Sequence, residues 1–145
     1  MRVCGIELKS NEAVISLLSL DMGLFDIPDC RARKLEIRDA SDQQQIRDFQ
    51  FAVKKLVEDY KIDQVVIRQR PMKGKFAGGA VGFKLEAAIQ LIEGLAVTVM
   101  PTTEIKEQLK HNPVPVDFKD TGLKVFQETA FNTAFAFISQ KQHNS

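Results

Sequence analysis

Glu7 is a carboxylate near the end of an apolar, β-leaning run, Arg2-Val3-Cys4-Gly5-Ile6-Glu7-Leu8. Alternation along a strand projects it with Val3 and Gly5 and opposite to Cys4, Ile6 and Leu8. On a central strand covered on both faces such a group costs free energy unless it is paired or metal-bound. Its structural explanation would be a bridge to Lys9 or to an arginine of the neighbouring strand. Far along the chain, Glu128 and Asn132 stand at i, i+4 and share a helix face. Carboxylate and carboxamide oxygens of this kind are the donors that a hard divalent metal takes. A solvated helix face would account for Glu128 and Asn132 equally well.

A second constellation is basic. Arg68, Arg70, Lys73, Lys75 and Lys84 fall between Asp63 and Glu86 with no acidic residue among them. Gly74, Gly78, Gly79 and Gly82 let the backbone approach a ligand, and the run leads into a helix N-terminus, whose free N–H groups and dipole favour anions. Gln69 adds a neutral polar group, and Phe76 is placed to stack on an unpaired base. Arg68, Gln69, Arg70, Lys73, Lys75, Phe76 and Lys84 are the candidate contacts to phosphate or nucleic acid. A solubilising loop is the competing explanation. The spacing matches neither a Walker loop nor a dinucleotide fingerprint, so it implies no nucleotide cofactor. His111 and His143 lack partners at ligand spacing, and Ser10 and Cys4 lack the setting of a covalent nucleophile.

The elements that must position these groups follow from the apolar pattern. Residues 2–8 and 12–20 predict an antiparallel hairpin, and residues 31–37 a third, half-exposed edge strand. Ser41 is placed to cap a helix whose Ile46, Phe49, Ala52, Val53, Leu56, Val57 and Tyr60 recur at three- and four-residue intervals. Val65-Val66-Ile67 predicts a buried strand, followed by the basic loop, a helix over residues 81–92 closed by Gly94, and a parallel strand at residues 96–100. Thr102 or Thr103 can cap a helix through Leu109, and Asp117 a last one bearing Leu123, Phe126, Ala130, Ala134, Phe137 and Ile138. A polar tail is expected over residues 140–145 beyond a single domain of residues 1–139.

Composition narrows the function classes. The 145 residues, 44% of them apolar, suffice for one core. Lys plus Arg number 20 against 19 for Asp plus Glu, so any field that attracts nucleic acid must be local. Two cysteines without metal-ligand spacing suit a reducing compartment. No apolar stretch approaches the ~18 to 20 residues of a membrane span, and Glu7 interrupts the run that a signal peptide would need, so a cytoplasmic chain is expected.

Three strands and a helix, then strand, helix, strand and helix, form an α/β order that resembles the ribonuclease H-like superfamily across residues 2–138. That resemblance implies a three-layer fold around a mixed five-stranded sheet (βββαβαβα). Within it, Gly5-Ile6-Glu7 is similar to the first-strand Gly-Ile-Asp of the RuvC-type Holliday-junction resolvases. The Phe83-Lys84-Leu85-Glu86 stretch within residues 80–88 resembles the helix after their fourth strand. The chain also resembles a small bacterial family of unknown function with this fold. The resolvase resemblance implies phosphodiester cleavage by two divalent metals, Mg²⁺ or Mn²⁺, held by carboxylates on the first strand, the fourth strand and the last helix, and it makes Glu7, Glu128 and Asn132 the candidate catalytic residues and metal ligands. The sequence departs from that pattern: Arg68, Gln69 and Arg70 stand where the fourth-strand acid would be, and Asn132 stands where the last-helix Asp would be. DNA or RNA binding with impaired cleavage is thus expected, with Mg²⁺ or Mn²⁺ only if cleavage survives, and with a homodimer admitted. The alternative is a non-catalytic interaction or regulatory domain that kept the fold after losing the acidic site.

Overall fold

The computed structural model describes residues 1–75 and 77–143, so the stacking role assigned to Phe76 lies outside the described residues. Strands β1 (Arg2–Lys9) and β2 (Glu12–Asp21) form the expected hairpin, in register from Arg2 opposite Ser19 to Lys9 opposite Glu12. Ser10 takes a left-handed φ of 50° in the turn, and the Asn11 amide donates to the Ile37 carbonyl at 2.6 Å.

Among the described residues the sheet has six strands where five were expected. The additional one, β3 (Leu24–Asp26), folds back on the far end of β2 through Met22 and Gly23, whose φ values are 51° and 80°. Methionine is a poor turn signal, so this hairpin reads as loop in the sequence. The expected edge strand is β4 (Lys34–Glu36), shorter than predicted and paired with the opposite end of the same β2 edge, Leu35 beside Ala13. Next come α1 (Gln43–Asp59), β5 (Gln64–Arg68), α2 (Ala80–Gln90), β6 (Val97–Met100) and α3 (Thr102–His111), with β5 parallel to both β1 and β6. Asp42 rather than Ser41 caps α1, accepting from the Gln44 N–H at 3.0 Å; the Ser41 hydroxyl donates to Asp39 instead.

The last helix, α4 (Glu128–His143), starts later and ends later than predicted. Asp117 precedes only a 3-10 turn, Phe118–Thr121, which Gly122 ends at φ 80°. A second 3-10 turn, Val125–Gln127, leads into α4, and the Gln127 amide anchors it by donating to the Ile15 carbonyl at 2.7 Å. At the other end Gln140, Lys141, Gln142 and His143 continue the helix that was expected to give way to a tail at residue 140. They are polar, but none is a helix breaker, and polarity alone does not end a helix.

Side-chain alternation divides the interior between the two faces of the sheet. Cys4, Ile6, Leu8, Val65 and Ile67 pack with Phe49, Val53 and Leu56 of α1 and Leu85, Ala88 and Ile89 of α2. Val3, Leu18, Val66 and Met100 pack with α4 and with Ile105 of α3. Each buried Val, Leu, Ile, Phe or Met side chain among them contributes about 1.5–3 kcal/mol. Gly5 brings α4 close to the sheet, because a Cβ there would collide with the Ala130 carbonyl and press on Ala134.

Candidate nucleic-acid interface

Glu7 lies two residues beyond Gly5 and on the same side of β1, the side that α4 covers. Ile6 is level with Ile67 of the parallel β5, so the next step sets Glu7 beside Arg68. Val66 belongs to the α4 side of the core, and alternation places Arg68 there too. Glu7 is half-buried. Burial raises its pKa above the ordinary carboxylate value, and the positive charges of Lys9 and Arg68 oppose that rise without cancelling it. Lys9 and an arginine of the neighbouring strand are thus the cations that act on this carboxylate.

Glu128 is exposed in the first turn of α4, and Asn132 is half-buried one turn later. Ala130 and Ala134 are the α4 residues that meet Gly5. At about 100° per residue, Asn132 projects roughly 160° around the helix from both, and Glu128 also points well away from the sheet. Neither residue therefore shares the face of α4 that meets Gly5. Among the described residues, no group of three or more His, Cys, Asp or Glu is gathered closely enough to hold a metal ion. A single half-buried carboxylate beside a guanidinium does not fit a pair of dications.

The basic residues divide into outward and inward ones. Lys73 and Lys75 are exposed beyond the C-terminal end of β5, where α/β sheets usually take ligands. Gln69 is exposed, and its backbone is held by the Met100 carbonyl at 2.9 Å and by the Thr102 hydroxyl at 3.1 Å. Lys84 instead reaches across to the loop before α1 and donates to the Ala40 carbonyl at 3.1 Å. Arg70 turns inward and is buried. Its guanidinium fills the space left by Gly78 and Gly82, and its Cζ lies 4.5 Å from the centre of the Phe83 ring. Burial lowers its pKa, Glu86 opposes the shift, and Arg68 adds to it. The spacing of Arg70 from these two glycines carries no signal until the chain folds.

Sheet order and two-sided helical cover give a ribonuclease H-like fold similar to that of RuvC. Thermus thermophilus RuvC superposes with a TM-score of 0.75 at 11% identity, covering 99% of this chain and 97% of that one. T. thermophilus RuvC in complex with Holliday junction substrate gives 0.71 at 12%, covering 99% and 96%. At these identities the likeness is one of fold. The chain itself belongs to the family described as protein of unknown function (DUF3010), whose model matches residues 1–137. No curated protein matches it.

Proposed function

We propose that this protein binds DNA or RNA across the C-terminal ends of β1 and β5, and that it does so without two-metal cleavage. The observation that carries the reading is the position of Arg68 at the end of β5, beside Glu7, with Lys73 and Lys75 exposed in the segment that follows. They stand on a fold shared with a resolvase whose structure includes a Holliday junction substrate. Phosphates meeting those cations would release counterions, so affinity should fall steeply with salt. Arg68 beside Glu7 supplies positive charge where the resolvase resemblance implies metal, which favours binding over hydrolysis. Cys4 and Cys30 are free thiols, which suits a cytoplasmic site of action.

The test is fluorescence anisotropy on single-stranded, duplex, four-way-junction and RNA–DNA hybrid oligonucleotides, with and without Mg²⁺ or Mn²⁺. Binding is expected without metal. Lys73→Ala/Lys75→Ala should weaken every complex and reduce the salt slope by about 1 per lysine removed. No binding to any substrate at moderate salt would overturn the reading. Metal-dependent cleavage products that disappear in Glu7→Gln would restore the nuclease. The burial of Arg70 and the tether of Lys84 to the Ala40 carbonyl favour a second reading, a non-catalytic interaction or regulatory domain, which predicts weak or absent oligonucleotide binding and no stabilisation by divalent ions.

A further inference from the structure

The fold leaves Arg70 only 9% exposed, yet its Nε and Nη2 meet no acceptor among the described residues. A guanidinium so far removed from water is costly unless its donors are used. Its surroundings are shaped to it: Gly78 and Gly82 face the guanidinium at positions where any side chain would overlap it, and the Phe83 ring covers it. Gly82 belongs to the first turn of α2, whose start at Gly79 has no side-chain cap. The N–H groups of Ala80, Val81 and Gly82 therefore lack intrahelical acceptors and carry the positive end of the helix dipole. Two sets of anion donors, one from a side chain and one from the backbone, thus lie close together at Gly82. Glu86, one turn further along, acts on Arg70 only at longer range, and its own Oε1 is unpartnered. Burial raises the Glu86 pKa, which weakens its claim on the guanidinium.

We propose that Arg70 and the first turn of α2 form a seat for a phosphate group. The seat deepens the nucleic-acid reading and rests on it for the source of the phosphate, a backbone diester or a strand-terminal monoester. A guanidinium edge offers two parallel donors to one phosphate, and backbone N–H groups can meet its remaining oxygens.

The experiment is a titration of inorganic phosphate into isotope-labelled protein, following the backbone amides of residues 79–82 and the Arg70 Nε–H resonance. Saturable shifts are expected at both. They should require about tenfold more phosphate in Arg70→Gln, as befits loss of a charge-assisted hydrogen bond. Gly82→Ala should act likewise while keeping every charge, because its methyl would occupy the guanidinium's place, and alanine favours the helix if Arg70→Gln folds poorly. Shifts confined to the neighbourhood of Lys73 and Lys75, or equal saturation in all three proteins, would overturn the seat. Oligonucleotides ending in phosphate or hydroxyl then identify the source. A preference for the phosphate end that Gly82→Ala abolishes assigns a monoester, whereas equal weakening of both assigns a diester. Phosphate seating without oligonucleotide binding would keep the seat and overturn the nucleic-acid reading. Oligonucleotide binding without shifts at residues 79–82 would do the reverse.

Discussion

Glu7 and Arg68 show how one residue type changes what a position can do. A carboxylate at the end of a covered strand is set up to hold a cation, and here a cation is covalently part of the next strand. The pair is not relaxed, because burial acts on Glu7 more strongly than Lys9 and Arg68 together. A carboxylate whose folded pKa is raised destabilises the native state when ionised. The penalty is absent below the ordinary carboxylate range and develops as pH rises through the raised value. Glu7→Gln should therefore unfold at a higher temperature than the wild type at neutral pH, with the difference vanishing as pH falls below about 4. Calorimetric melts at several pH values check this, and an advantage that persisted in acid would refute it. Strand alternation and the resemblance of Gly5-Ile6-Glu7 to a resolvase first strand made Glu7 legible in the sequence. The inward turn of Arg70 was not legible, because a charge says nothing of burial until Gly78 and Gly82 arrive beside it.

At the scale of elements, α4 depends on Gly5 more than on its own sequence. Its residues from Ala130 to Ser139 are almost all buried, so no narrow apolar stripe marks one face. Gly5 decides how near the sheet it lies. Gly5→Ala should drive a methyl into the Ala130 carbonyl and lower stability by about 3 kcal/mol, the upper range for overpacking, since backbone rather than a flexible side chain must yield. Urea denaturation followed by far-UV circular dichroism checks it; a cost below about 1 kcal/mol would mean that α4 shifts freely. Helices α1 and α2 were legible from three- and four-residue periodicity. The turn to β3 was not, because Met22 occupies a left-handed conformation that its residue type does not advertise.

For the molecule as a whole, the sheet separates two bodies of packed side chains that share β1, β2 and β5. Neither can lose its helices without exposing strands on which the other depends. Val53→Ala on the α1 side should cost about 2 kcal/mol and Phe131→Ala on the α4 side about 3–5 kcal/mol, both lowering one common transition. Two transitions moving separately in a thermal melt would show that the chain is not one cooperative domain. Hydrophobic period and length are local properties, so the sequence by itself determined the hairpin, the parallel crossover, the order of helices and the carboxylate on the first strand. Only the tertiary structure decided that Arg68 stands beside Glu7, that Ala130 and Ala134 rather than Glu128 and Asn132 face Gly5, and that Arg70 is enclosed at the start of α2. Each of those depends on how strands align and how closely helices approach, and that is set by contacts between residues far apart in the chain.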